Sequence, residues 1–324
     1  MVADKLICRV LFAGLVLVVP IAAHAQAQFP DRAVKIIVPA PPGPVIDALP
    51  RILAAKLAAA WSQPVIVENR PGAANLVGTE AVLKAAPDGY TLLVSPPGQL
   101  VISPHFLPKP SVDATGLVPV TILAELPPVL VVNSRLPVHS VKELVAFIKQ
   151  NPGKISYGSP GIGTGLHLAM EELRRQAGLD LLHVPYQGLG PEMQDLLAGR
   201  IDMMVDVLGD AWPHINSGAL RLLAVTAEQR VPALPDIPTI SETIPGYVDN
   251  EWFAILAPPT TPANIVAKLQ QAIAQALKQP DVAQRFADFH VIAGGEPPGE
   301  TASFIRKEDE RWIRLSESMG HKLD

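Results

Sequence analysis

The stretch "YGSPGIGTGLHLAM" places four glycines, Gly158, Gly161, Gly163 and Gly165, ahead of a run with helical apolar spacing. Such a turn can aim backbone N–H groups at an anion. The first N–H groups of a helix lack intrahelical acceptors, and the macrodipole favours negative charge there. A second stretch of this kind, "VPAPPGPVID", leaves an apolar run and enters another helical pattern. Neither stretch contains a lysine or an arginine. Two neutral loops of this design suit a small carboxylate, which accepts several N–H bonds without an arginine.

Nucleotide chemistry fits poorly. A phosphate loop ends in Gly-Lys-Ser/Thr, and here Gly163 is followed by Thr164, with no lysine between Ser156 and Glu172. Gly161-x-Gly163 begins a dinucleotide fingerprint, but Leu166 stands at the third glycine position. The acid about 20 residues on, Asp180, precedes a strand instead of ending one.

Other reactive residues carry weaker signals. Asp47 falls in a first helical turn, where an acid complements the dipole. Asp206 ends the run "IDMMVD", at the kind of strand end where ligands bind, or it caps the next segment. His167 and Glu171 share a helix face, but no second histidine comes after them at metal-ligand spacing. Ser159 near His167 suggests a nucleophile, yet no G-x-S-x-G elbow is present. His183 and His214 are isolated and read as structural.

The elements that must position these residues alternate. Strands are expected over 34–38, 64–69, 90–95, 129–133, 154–158, 181–186, 201–206, 220–226 and 252–257. Helices are expected over 47–60, 78–86, 164–177, 190–198, 262–279 and 300–318. Ser140 and Glu143 form a capping box for a further helix. Thr261 is expected to cap the helix that begins with Pro262. Continuous apolar strands alternating with helices predict an α/β protein with mainly parallel sheets. The Pro-rich "RVPALPDIP" is the best linker candidate.

Residues 1–25 read as a cleaved secretory signal: Lys5 and Arg9, an apolar run over 10–23, then "AHA". The only cysteine, Cys8, lies within it, so the mature chain of 324 − 25 = 299 residues has no thiol. Charged residues make up 18% of the sequence and the net charge is −5, which leaves no footprint for nucleic acid.

Several longer stretches carry a family resemblance: "FPDRAVKIIVPAPPG", "PVIVENRPGAANLVGTEAVLKAAPDGYTLLV", "NPGKISYGSPGIGTGLHLAMEEL" and "HVPYQGLGPEMQDLLAGRIDMMVD". The chain resembles the substrate-binding receptors of tripartite tricarboxylate transporters, also called Bug or TctC-like proteins. The resemblance implies a type II periplasmic binding fold, with two α/β domains flanking a ligand cleft. Domain 1 would comprise 26–126 plus 228–324 and domain 2 would comprise 127–227, with crossings near 126–129 and 224–227. It further implies a periplasmic, monomeric receptor that delivers a small organic carboxylate to a permease with two integral subunits. No cofactor, metal, catalysis or stable membrane insertion is implied. The expected ligand residues are Pro41, Gly43, Val45 and Asp47 in the first loop and Ser95 after the third strand. To these are added Ser159, Gly161, Gly163, Thr164 and His167 in the glycine loop, and Asp206. Pro44, Pro96, Pro97, Pro160, Gly165, Leu166, Gly209, Asp210 and Glu251 depart from the family's usual pattern. They make a less polar cleft with extra acids, and with it a changed ligand, the expectation. Two other readings stay open: a sensor acting through a membrane kinase, and a periplasmic hydrolase.

Overall fold

The computed structural model describes residues 29–106, 112–231 and 234–319. The expected signal segment lies outside the described residues. Two sheets organise the chain. The first joins β1 (Val34–Val38), β2 (Val65–Asn69), β3 (Thr91–Ser95), β4 (Val118–Leu126), β10 (Glu251–Ala257) and β11 (Ile292–Ala293) in the order β11-β4-β10-β3-β1-β2. The second joins β5 (Pro128–Asn133), β6 (Ser156–Ser159), β7 (Leu182–Pro185), β8 (Met203–Val207) and β9 (Leu220–Val225) in the order β7-β6-β8-β5-β9.

The pairing is mixed, not mainly parallel. β2-β1-β3 and β7-β6-β8 are parallel. β10 runs antiparallel to both β3 and β4, and β5 runs antiparallel to both β8 and β9. The reason is connectivity. β5 and β10 are the strands by which the chain enters each sheet from the other one. They start at the edge where their neighbours end, so they run against them.

Alternation along each strand supplies two cores per sheet. Ile36 and Val38 face one layer of the first sheet, while Ile37 and Leu93 face the other. Leu130 and Val132 point into one layer of the second sheet, and Val129 and Val131 into its opposite. Two helices pack beside the first sheet at α1 (Val45–Trp61) and α8 (Ala263–Leu277), with Leu49, Leu53, Leu269 and Ile273 fully buried. α10 (Pro298–Met319) covers the other face through Trp312. The helices between these are α2 (Leu76–Leu83), α3 (Ser103–Phe106), α4 (Val141–Gln150), α5 (Gly165–Ala177), α6 (Leu189–Ala198), α7 (Leu208–Asn216) and α9 (Pro280–Asp288).

The chain passes from β4 to β5 through Pro127 alone. Its return comes later than the expected 224–227. Ile240, Ile244 and Tyr247 still pack in the core of the second sheet, and Glu251 is the first residue back in the first. The Pro-rich segment is not a linker either, since Val231, Leu234 and Ile237 pack against the second lobe. Thr261 does not cap α8. Its hydroxyl donates to the carbonyl of Pro258 at 2.8 Å, and Pro262 holds the cap position. The box at α4 forms with one change: Ser140 accepts from the Glu143 N–H, while the Glu143 carboxylate takes the N–H of His139.

Candidate functional site: a cleft between opposed strand ends

The carboxyl ends of β1, β2 and β3 face those of β6, β7 and β8 across a cavity of about 730 Å³. Strand ends are where open α/β sheets hold ligands. From the first lobe come the loop 39–44, the segment 71–75 and the turn at Pro96 and Gly98. From the second come the glycine loop at 160–162, the segment 185–188, and Val207 with Asp210. Glu251 and Phe253 on β10 close one wall.

The first loop is tied from below. Asp47 accepts the Gly43 N–H at 3.2 Å and pairs with Arg51 at 2.8 Å. The Asn69 amide reaches both Asp47, at 2.8 Å, and the carbonyl of Ala40, at 2.9 Å. Burial alone would raise the Asp47 pKa. The bonds from Arg51, Asn69 and Gly43 outweigh it and hold the carboxyl below its ordinary value.

The second segment is strained. Gly72, Ala73, Ala74 and Asn75 all have positive φ, of 129°, 48°, 49° and 75°. Each non-glycine residue held there costs about 1–3 kcal/mol, and such strain clusters at ligand clamps. The segment leads into α2.

The glycine loop rests on a buried polar stack. Thr164 caps α5 by accepting the His167 N–H, and its hydroxyl donates to the Gly161 carbonyl at 2.8 Å. Nδ1 of His167 accepts the Gly163 N–H at 3.3 Å, so that nitrogen carries no proton. The His167 ring stacks on His183 at 4.4 Å, which in turn stacks on Tyr157 at 4.8 Å. Nε2 of His183 lies 2.6 Å from the Ser159 hydroxyl. Burial, then the neighbouring His183, pushes His167 down to about 4, and burial lowers His183 as well. Both rings are neutral at pH 7. Glu171 is occupied by Tyr157 and Arg174, so it does not complete a metal pair with His167. Among the described residues no group of three or more His, Cys, Asp or Glu could hold a metal ion.

The expected site residues therefore divide into two layers. Pro41, Gly161 and Thr164 line the cavity. Val45 meets the opposite lobe, where its N–H donates to Asp210 Oδ1 at 2.9 Å. Asp47, Ser159, Gly163 and His167 lie buried behind the lining and hold the loops in place, while Gly43 is exposed and bonds back to Asp47. Ser95 is fully buried, donating to the Pro96 carbonyl and accepting from Gln99 at 2.7 Å. Asp206 is fully buried beneath the wall, accepting the Val207 N–H at 2.7 Å. Val207 and Asp210 reach the cavity in its place. Residues 73–75, Gly98, Tyr186 and Gly188 line the cleft without having been singled out from sequence. A Gly/Pro/Ala/Asn cluster after a strand was the only signal for the first of these.

The lining contains no lysine or arginine, and its two charged residues are Asp210 and Glu251. Burial raises Asp210 to about 7. Burial, then Asp249 and Glu308, raises Glu251 well above its ordinary value.

Two α/β lobes around such a cleft define a periplasmic binding protein fold. The model of the tripartite tricarboxylate transporter family receptor matches residues 49–321. The chain is 36% identical to Protein BugT of Bordetella pertussis, over 94% of each chain. It superposes on R. palustris Rpa4515 with adipate at a TM-score of 0.87, with 31% identity, over 91% of this chain and all (100%) of that one. MatC (Rpa3494) from Rhodopseudomonas palustris with bound malate gives a TM-score of 0.83 at 31% identity, over 89% of this chain and 100% of its own. This chain belongs to the tripartite tricarboxylate transporter receptor family, a family of solute-binding proteins and not of enzymes. Among the described residues no helix is long and apolar enough to cross a membrane.

Proposed function

We propose that this protein is an exported, monomeric receptor that captures one small organic acid in the cleft and presents it to a permease with two integral subunits. The observation that carries the reading is the cavity of about 730 Å³ enclosed by strand-to-helix loops from both lobes. Its size suits one small molecule. The relatives solved with adipate and malate support a carboxylate. The lobes would turn about Pro127 and the return segment ahead of Glu251, and closure would create the surface that the permease recognises.

The test is purification of the mature protein from periplasm, followed by native mass spectrometry and thermal-shift screening against a panel of organic acids. A co-purifying acid that restores the melting shift when added back is the expected result. No stabilisation by any acid, together with turnover of an ester panel, would refute the receptor reading.

A further inference from the structure

We propose that the cleft selects an organic acid that also carries a protonated amine, because the chain's own Asp210 and Glu251 stand where an all-anionic ligand would bind. The inference rests on the receptor reading of the same cleft.

The start of α1 is the first place expected to hold a ligand carboxylate. Two of its donors are already taken by carboxylates. Val45 gives its N–H to Asp210 from the opposite lobe at 2.9 Å, and Gly43 gives its own to Asp47 at 3.2 Å. The start of α5 is the second place, and a carboxyl oxygen crowds it without accepting its N–H groups. A Cβ placed on Gly165 would lie 2.6 Å from Glu251 Oε2, so this carboxyl group reaches the backbone of the helix's first residue.

Both acids line the cavity, and each has an oxygen shielded from solvent with no hydrogen-bond partner, Asp210 Oδ2 and Glu251 Oε2. Glu251 as a whole is only 5% exposed. Leaving such an oxygen without a donor costs about 1–3 kcal/mol, and more when it is charged. Among the described residues no lysine or arginine bonds either oxygen. Arg311 acts on Glu251 only through its field, since it bonds to Glu308 and lies 3.9 Å from Asp249. Asp249 and Glu308 oppose the ionisation of Glu251, and Asp210 opposes that of the buried Asp206 behind it, with Glu192 beyond. A plain dicarboxylate would bring further negative charge to this side. A protonated amine supplies the missing N–H groups and the missing charge together.

α2 also starts on the cavity, with no acidic residue in its first turn, but its Leu76 and Val77 N–H groups already donate to the carbonyls of Ala73 and Gly72. What sets this cleft apart is therefore its two lining carboxyl groups with unpartnered oxygens, which a ligand ammonium group satisfies. Burial holds the Asp210 and Glu251 carboxyls protonated more readily than free ones. An arriving ammonium group should therefore expel protons.

Calorimetry with adipate, 2-aminoadipate and 6-aminohexanoate tests this on the mature protein, the Glu251→Gln and Asp210→Asn variants, and their combination. The expected result is that at least one aminated probe binds about tenfold to a hundredfold more tightly than adipate. Its binding should release protons, seen by comparing buffers of different ionisation enthalpy. The double variant should lose that preference and gain adipate affinity. Melting of the unliganded variants verifies that they fold, and both exchanges keep side-chain shape. Tighter binding of adipate by the wild type overturns the proposal, as does an amine preference that survives in the double variant. If no plain or aminated acid binds at all, the receptor reading itself falls and takes the proposal with it.

Discussion

Gly209 lies against the carbonyl of Phe289 from the other lobe, so close that a Cβ would sit 2.5 Å from that oxygen and 2.9 Å from Cγ2 of Val45. The contact belongs to the first turn of α7. One residue on, Asp210 takes the Val45 N–H; three on, Trp212 meets His290 edge to face at 4.6 Å. This turn is the latch between the lobes, and only glycine lets the backbones approach so far.

Gly209→Ala should therefore keep both cores and lose the closed arrangement. Overpacking of this kind costs about 1–3 kcal/mol, which corresponds to roughly fivefold to 150-fold in ligand affinity. Small-angle scattering should show a larger radius of gyration with ligand present. An unchanged radius and affinity would remove the latch from the closing motion.

Asp47 lies behind the lining, yet it organises the first loop through Gly43, Asn69 and Arg51. Asp47→Ala should destabilise the protein by about 1–3 kcal/mol at pH 7 and weaken ligand binding without touching the ligand. The sign with pH comes from a folded pKa held below the ordinary value. Its contribution is present above the unfolded pKa of ~3.9 and is lost as pH falls through the folded value. Urea denaturation should show the wild type and variant converging below about pH 4. A gap that persists in acid would assign the effect to packing and not to the carboxylate.

His167 gives a slope in the same direction through a different chemistry. Its ring is neutral in the fold, with a pKa of about 4, against roughly 6.5 in the unfolded chain. The unfolded state thus binds more protons between those values. Stability is full above about pH 6.5 and falls by on the order of 2–3 kcal/mol as pH drops towards 4. His167→Gln removes the titration and keeps an acceptor for the Gly163 N–H. Thermal melts between pH 7 and 4.5 should be flatter for the variant; an equal slope would place the acid sensitivity elsewhere.

These residues show what the sequence could convey. Periodicity and β-branched runs located β1, β3 and β8 to within about two residues, because buried strands write continuous apolar runs. The same runs cannot tell a parallel neighbour from an antiparallel one, so the reversed insertion of β5 and β10 was hidden. The glycine loop was visible as a loop. That its Ser159, Gly163 and His167 would face inward onto His183 depends on a β7 neighbour 24 residues beyond Ser159, which no local spacing encodes. Asp210 and Glu251 stood out as unusual types at their positions. Their convergence on one cavity needed the two lobes to be brought together.

Asp210 supplies the last test, with the opposite sign to His167. Its carboxyl is raised to about 7 by burial, while the unfolded side chain titrates near 3.9. Between those values the folded state holds the extra proton, so folding is increasingly penalised as pH rises from about 4 to 7. Above 7 the penalty is constant. Asp210→Asn keeps an oxygen for the Val45 N–H and removes the ionisation. It should raise the stability of the unliganded protein by about 2 kcal/mol at pH 7.5 and change it little at pH 4. Part of the gain comes through Asp206, whose own carboxyl is raised by burial and by Asp210. Denaturation at the two pH values decides the matter. A variant less stable at pH 7.5 than at pH 4, relative to wild type, would mean that Asp210 is already ionised and paired in the fold.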